Sequence, residues 1–279
     1  MNLFSRKLLT ATTATTAAMA LAACGSEASE DAAEGPIVIL ASATPHTEIL
    51  EWVDEQHDEF ELDVKVIPGG PEVNMSTADG SADLNYYQHT PYLQDWNKET
   101  GNNLESFAGI HIEPMAMYSE KYSSIDEIPD GSTIAVPRST SDFARALLLL
   151  EHHGLLSLDE ELDPTQVTQI TEASIVDNPK KLEFLPVEDQ IAIQSVTDPQ
   201  VAGAVASSNF AMQAGYNPTE DAVISEEPEG NPYVNIVVGQ PGADDSPQVQ
   251  ALLEALQSKE TADWIREEFN GAVVPVNQE

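Results

Sequence analysis

Thr133-Ile134-Ala135-Val136 runs into Pro137-Arg138-Ser139-Thr140-Ser141-Asp142-Phe143-Ala144-Arg145 and then into Ala146-Leu147-Leu148-Leu149-Leu150. β-Branched residues open this stretch, hydroxyls and an acid fill its middle, and an unbroken apolar run closes it. The pattern predicts a strand, a turn and a buried helix with Ser141 as its N-cap. A strand leading straight into a buried helix belongs to layered α/β architecture, where ligands bind beyond the carboxyl ends of the strands. The turn also places two arginines at a helix start, where the macrodipole disfavours a cation. An anion resolves that conflict: a ligand carboxylate could take a bidentate pair from one arginine and further bonds from the free N–H groups and hydroxyls of the first turn. For Arg138 the expectation is an ion pair with one of the chain's many acids; for Arg145 it is the ligand.

The same alternation extends in both directions. Strand-like residues 37–40 precede a helical pattern at 48–52, and 64–67 precede another at 74–79; further strands are expected at 106–117, 182–186, 201–206 and 233–238, enough for two sheets. Thr90-Pro91 and Ser246-Pro247 suit an N-cap followed by proline at the first helical position, and Ser124-Ile125-Asp126-Glu127 resembles a capping box. His152-His153 ahead of Gly154 suits cations at a helix C-terminus. In Asn85-Tyr86-Tyr87-Gln88-His89-Thr90-Pro91-Tyr92, three tyrosines and a histidine bridge a strand and a helix start. They could wall an apolar ligand chain; the alternative for Tyr86 and Tyr92 is a place in the core with the hydroxyl at the surface.

With 279 residues, 41% of them hydrophobic, the chain can bury one large core or two ordinary ones, which excludes a disordered or fibrous protein. Its 48 acids against 11 Lys and Arg give a formal charge of -37, a surface that repels nucleic acid. Residues 1–23 read as a signal peptide: Arg6 and Lys7 form a basic start, and the Ala/Thr/Leu stretch after them is too short and polar to span a bilayer. The single cysteine falls in Leu21-Ala22-Ala23-Cys24-Gly25, which resembles the lipobox of bacterial lipoproteins, so Cys24 is expected to carry the lipid that holds the protein to the extracytoplasmic face of the membrane. Removing the leader takes away Arg6 and Lys7 and moves the charge from -37 to -39. That acidity fits a high-salt habitat or simply an acidic secreted protein. Residues 24–36 lack hydrophobic periodicity and read as a flexible tether, with the folded part beginning near Ile37.

The order of several segments resembles the NlpA family, the methionine-binding lipoproteins of ABC importers. The matching residues include Pro45-His46-Thr47-Glu48, Tyr87-Gln88-His89-Thr90-Pro91-Tyr92-Leu93, Arg145-Ala146-Leu147-Leu148, Asp177-Asn178-Pro179-Lys180 and Pro232-Tyr233-Val234-Asn235. The resemblance implies an α/β, two-lobed type II periplasmic-binding-protein fold with an inter-lobe ligand cleft and two crossovers, near Ile112 and Tyr233. Lobe I would comprise residues 37–112 plus 234–279, and lobe II residues 113–233. It further implies that Tyr87, His89 and Tyr92 face the cleft, that Arg145 meets the carboxylate of an amino acid, methionine or a close relative, and that Asn235 binds the ligand's polar backbone. Partners would be a permease and its cytoplasmic ATPase, with no cofactor and no catalysis. Two positions depart from the family: Gly69-Gly70-Pro71 replaces a stretch carrying a cleft tyrosine, and Ser207, with Asn209 two residues on, stands where a binding asparagine is usual. Both departures bear on ligand choice. The rival readings are a metal-binding lipoprotein drawing on His46, His57, His89, His111, His152 and His153, and a surface lipoprotein without a transport role. Against a hydrolase, the sequence has no Gly-x-Ser-x-Gly elbow.

Overall fold

The computed structural model describes residues 35–162 and 167–276. The leader, Cys24 and the tether up to residue 34 lie outside the described residues. The first strand is Ile37–Ala41, whose β-branched residues alternate between full and partial burial. That strand pairs in parallel with Leu62–Val66 on one side and Leu84–His89 on the other. Val234–Gly239 adds antiparallel to Leu84–His89, then come Glu105–Ile112 and, at the edge, Val274–Pro275. A second sheet has the order Ala222–Ser225, Met115–Tyr118, Val201–Ser207, Thr133–Pro137, Glu183–Val187. Its strands Val201–Ser207, Thr133–Pro137 and Glu183–Val187 are parallel neighbours.

Each sheet has its own apolar core. Around the first, Ile39, Leu84 and Tyr86 pack with Leu50 and Val53 of the helix Glu48–Gln56 and with Leu252 and Ile265 of the C-terminal helices. Around the second, Ile134 and Val136 pack with Leu147 and Leu150 of the helix Thr140–His152. The chain passes between the sheets twice: at Glu113-Pro114, and again between Ser225 and Val234. The expected single strand over 106–117 is therefore two strands, Glu105–Ile112 and Met115–Tyr118, in different sheets. Pro114 has no N–H to extend a ladder, and the chain changes sheets there.

Three capping expectations also need correction. The helix Thr140–His152 has Ser139, not Ser141, as its N-cap. In the helix Thr90–Thr100 the cap is His89, whose Nδ1 accepts the Tyr92 N–H at 3.2 Å, so a histidine side chain does what was expected of Thr90. Over Ile125–Glu127 there is only one 3₁₀ turn without a side-chain cap, because Glu127 instead accepts from the Ser123 N–H and hydroxyl. The strand Ala222–Ser225, short and flanked by polar loops, was not anticipated.

Candidate functional site

The carboxyl ends of four strands converge on one cavity of about 610 Å³ between the sheets. Ser42 follows Ala41, His89 ends its own strand, Arg138 and Ser139 follow Pro137, and Ser207 ends the strand before the helix Ser208–Gln213; all line the cavity. This placement is what open α/β sheets dictate for ligands. The volume lies within the roughly 300–1,000 Å³ of small-molecule sites. Tyr87, His89, Tyr92, Arg145, Ser207 and Asn235, six residues spread over 149 positions of sequence, are all among its lining residues.

Register explains part of the convergence, since Asn235 pairs with His89 on one neighbouring strand and with His111 on the other. The Asn235 Oδ1 accepts from His46 Nε2 at 3.0 Å, while His46 Nδ1 accepts the Ser42 hydroxyl at 2.7 Å. These bonds fix the amide and leave its Nδ2 without a hydrogen-bond partner among the described residues. In the same way Ser207 donates to Asn209 Oδ1 at 2.6 Å, so the buried Asn209, which also lines the cavity, keeps its Nδ2 for another acceptor. Tyr87 donates to the Gly70 carbonyl at 3.2 Å and meets Tyr92 edge to face, forming an aromatic wall against the Gly69-Gly70 loop.

Arg145 is placed differently from expectation. Only 1% exposed, it closes its fork on Glu226, with Nε to Oε1 at 2.8 Å and Nη2 to Oε2 at 2.6 Å, and Nη2 also donates to the Glu113 carbonyl at 2.8 Å. Its Cζ stands 4.3 Å from the centroid of Tyr233. The bidentate face is thus taken by the protein, and Nη1 stands 3.9 Å from Asp142 Oδ1. Burial opposes the charge, but Glu226 and Asp142 outweigh it and hold the guanidinium protonated. Starting the helix at Ser139 puts Arg145 in the second turn rather than at the cap. Arg138 pairs with Glu188, as expected for it.

Sequence reasoning missed the acids around these arginines. Seven acids and two arginines line the cavity. Asp142 accepts from His89 Nε2 at 2.9 Å and from the Ser139 hydroxyl at 2.9 Å. Burial works against its ionisation, yet His89, Arg145 and Ser139 prevail and hold its carboxyl at about 2. Asp189 accepts a long bond from the Ser139 N–H at 3.5 Å and is approached by the Ser139 hydroxyl, but burial, then the charge of Asp142, pushes it up to about 7. The sign of its contribution follows: an acid whose folded pKa is raised destabilises the fold when ionised, fully above about pH 7 and not at all below its unfolded value near 3.8. Asp189→Asn should therefore stabilise the ligand-free protein at pH 8, by up to about 4 kcal/mol, with the gain shrinking as pH falls from 7 towards 4. Thermal unfolding at pH 8 and pH 5 measures this.

Of the six histidines weighed as metal ligands, the structure brings His46 and His111 together with Glu113, their ligand atoms all within 4.8 Å. The ring nitrogens are already engaged. His111 Nε2 donates to Glu113 Oε1 at 3.0 Å, its Nδ1 accepts the Tyr86 hydroxyl, and both nitrogens of His46 are bonded as described. Burial lowers His46 to about 4 and His111 to about 3 and raises Glu113. Zinc with nitrogen and oxygen ligands at about 2.0–2.2 Å needs a tighter and more open arrangement. The cluster reads as a buried hydrogen-bond network supporting Asn235.

Comparison with known proteins agrees over the whole described chain. The sequence profile of the NlpA lipoprotein family matches residues 37–277. The methionine-binding lipoprotein MetQ of Bacillus subtilis is 35% identical over 92% of this chain and 94% of its own length. The D-methionine-binding lipoprotein MetQ of Escherichia coli K12 is 32% identical over 97% and 98%. A solved nutrient-binding protein from Burkholderia cenocepacia bound to methionine superposes with a TM-score of 0.80 at 30% identity, covering 86% of this chain and 99% of that one.

Proposed function

The chain belongs to the NlpA lipoprotein family, and on that premise we propose that it is the extracytoplasmic substrate-binding component of an ABC importer, capturing an amino acid of the methionine class. Its fold is the two-lobed type II periplasmic-binding-protein fold. The observation that carries the reading is the cavity itself. Arg145 Nη1, the Nδ2 groups of Asn235 and Asn209 and the first turn of the helix Thr140–His152 supply donors for a carboxylate, beside the aromatic wall of Tyr87 and Tyr92. Lobe I, residues 37–112 and 234–279, closes on lobe II, residues 113–233, about the two crossovers, and the closed form docks on a permease driven by a cytoplasmic ATPase. The ligand is carried and not chemically changed. Methionine-class amino acids should raise the melting temperature of the lipid-free protein, since a ligand that binds only the folded state stabilises it by mass action. A shift with zinc and with no amino acid would support the metal-binding reading instead.

Among the described residues no helix is long and apolar enough to cross a membrane. Anchoring is assigned to lipid on Cys24, and Cys24→Ser should move the protein from the membrane fraction to the soluble one. Of the two departures from the family, only one can be reversed cleanly. Gly70 has φ of +113°, and a Cβ there would stand 2.8 Å from the Glu72 carboxylate, so Gly70→Tyr would be strained whatever its effect on binding. Ser207→Asn adds an amide at the cavity edge without a backbone penalty. It should shift relative affinity towards methionine in a calorimetric panel of amino acids.

A further inference from the structure

The cavity holds more carboxyl groups than the single ammonium of a neutral-side-chain amino acid can pair with. Of its seven acids and two arginines, both arginines are already paired, Arg138 with Glu188 and Arg145 with Glu226. A zwitterionic ligand brings one ammonium. With its carboxylate at Arg145 Nη1, that ammonium lies within reach of Asp142, which stands 3.9 Å from the same nitrogen. Asp189 remains. It forms no ion pair among the described residues; its polar neighbours are the N–H of Ser139, at 3.5 Å, and the Ser139 hydroxyl, and the charge of Asp142 opposes its own. Both carboxylates act on Tyr92, whose ring flanks the same space.

An independent sign of a missing partner lies beside Asp142, on the helix Thr140–His152. Ser141, 1% exposed, lines the cavity, and its Oγ is buried without a hydrogen-bond partner among the described residues. A hydroxyl in that position offers lone pairs to an incoming N–H donor. Closing the lobes around a ligand with a neutral side chain would desolvate Asp189 with nothing to compensate it, whereas a cation beside a carboxylate and an aromatic ring is a favourable arrangement.

We propose, resting on the amino-acid-binding reading above, that this cleft selects an amino acid whose side chain ends in a cation, an ammonium, guanidinium or sulfonium group, seated between Asp189, Tyr92 and Ser141. Asp142 serves the α-ammonium common to all amino acids; Asp189 sets the preference among them.

Two matched pairs of ligands test the idea by isothermal titration calorimetry on the lipid-free protein: lysine against norleucine, and S-methylmethionine against methionine, with arginine as a longer cation. The expected result is that at least one cationic ligand binds more than about tenfold tighter than its neutral counterpart. Asp189→Asn should remove that advantage, weakening the cationic ligand while the neutral one, with no carboxylate left to desolvate, binds at least as tightly as to the wild type. Thermal unfolding of the ligand-free variant checks that it folds. Tighter binding of the neutral member in both pairs, or a cationic advantage that survives Asp189→Asn, overturns the proposal and leaves the amino-acid reading standing. Failure of every amino acid, methionine included, overturns both.

Discussion

Arg145→Ala protein will unfold with about 3–5 kcal/mol less free energy than the wild type, and it will bind its ligand more than about tenfold more weakly. The first effect is the larger and comes from the protein's own use of the side chain. Arg145 lies on the helix Thr140–His152, yet its Nη2 holds the carbonyl of Glu113 in the first crossover, and its fork holds Glu226 in the second. Removing it leaves a carboxylate that is 13% exposed without its cation, held only by the neutral donors Met115 N–H and Asn231 Nδ2, and uncovers the Glu113 carbonyl. Arg145→Lys should recover little, because an ammonium cannot span both Glu226 oxygens and the Glu113 carbonyl at once. Urea unfolding and calorimetric titration of the same preparations separate the two effects. Wild-type stability with lost binding would mean that the guanidinium serves the ligand alone.

Glu226→Ala should destabilise the fold by a similar amount, about 3–5 kcal/mol, for the complementary reason. Glu226 Oε2 accepts from Arg145, from the Met115 N–H at 2.9 Å and from Asn231 Nδ2 at 3.0 Å, so one carboxylate ties the helix to both crossovers. Its loss leaves a buried cation unpaired and frees the segment through which the lobes are joined. Ligand binding should also weaken, since an unpaired Arg145 is no longer held with Nη1 at the cavity. In a double-mutant cycle, Arg145→Met with Glu226→Leu should be less destabilised than the sum of the single changes, because neither partner is then left charged and alone. Additive losses would show that the two residues act through different neighbours.

These expectations depend on contacts that the sequence could not disclose, although it disclosed the frame around them. The strand before Arg138 and the helix through Leu150 were legible because β-branched residues and then an unbroken leucine run occupy consecutive segments. Tyr87, His89, Tyr92 and Asn235 were legible as a set only through their family resemblance; no local pattern says that Asn235 pairs with both His89 and His111. Arg145 was legible as an arginine near a helix start, but its partner lies 81 positions away among 48 acids, and nothing in the neighbourhood of Glu226 marks it. Asp189 was silent for the same reason: in so acidic a chain, a carboxylate that ends up without a cation looks like its neighbours until the fold removes it from water. His46 is an intermediate case. It stands in a matching segment, and only the fold reveals that it orients Asn235.

The central claim, that the cleft between the two sheets holds an amino acid by its carboxylate, is tested most directly by identifying what the protein carries. Mass spectrometry of small molecules released on denaturing protein purified without added ligand should find one α-amino acid, near one per chain, that is absent from Arg145→Ala protein prepared in parallel. A released metal ion, or a molecule with no carboxylate retained equally by the wild type and the variant, would contradict it.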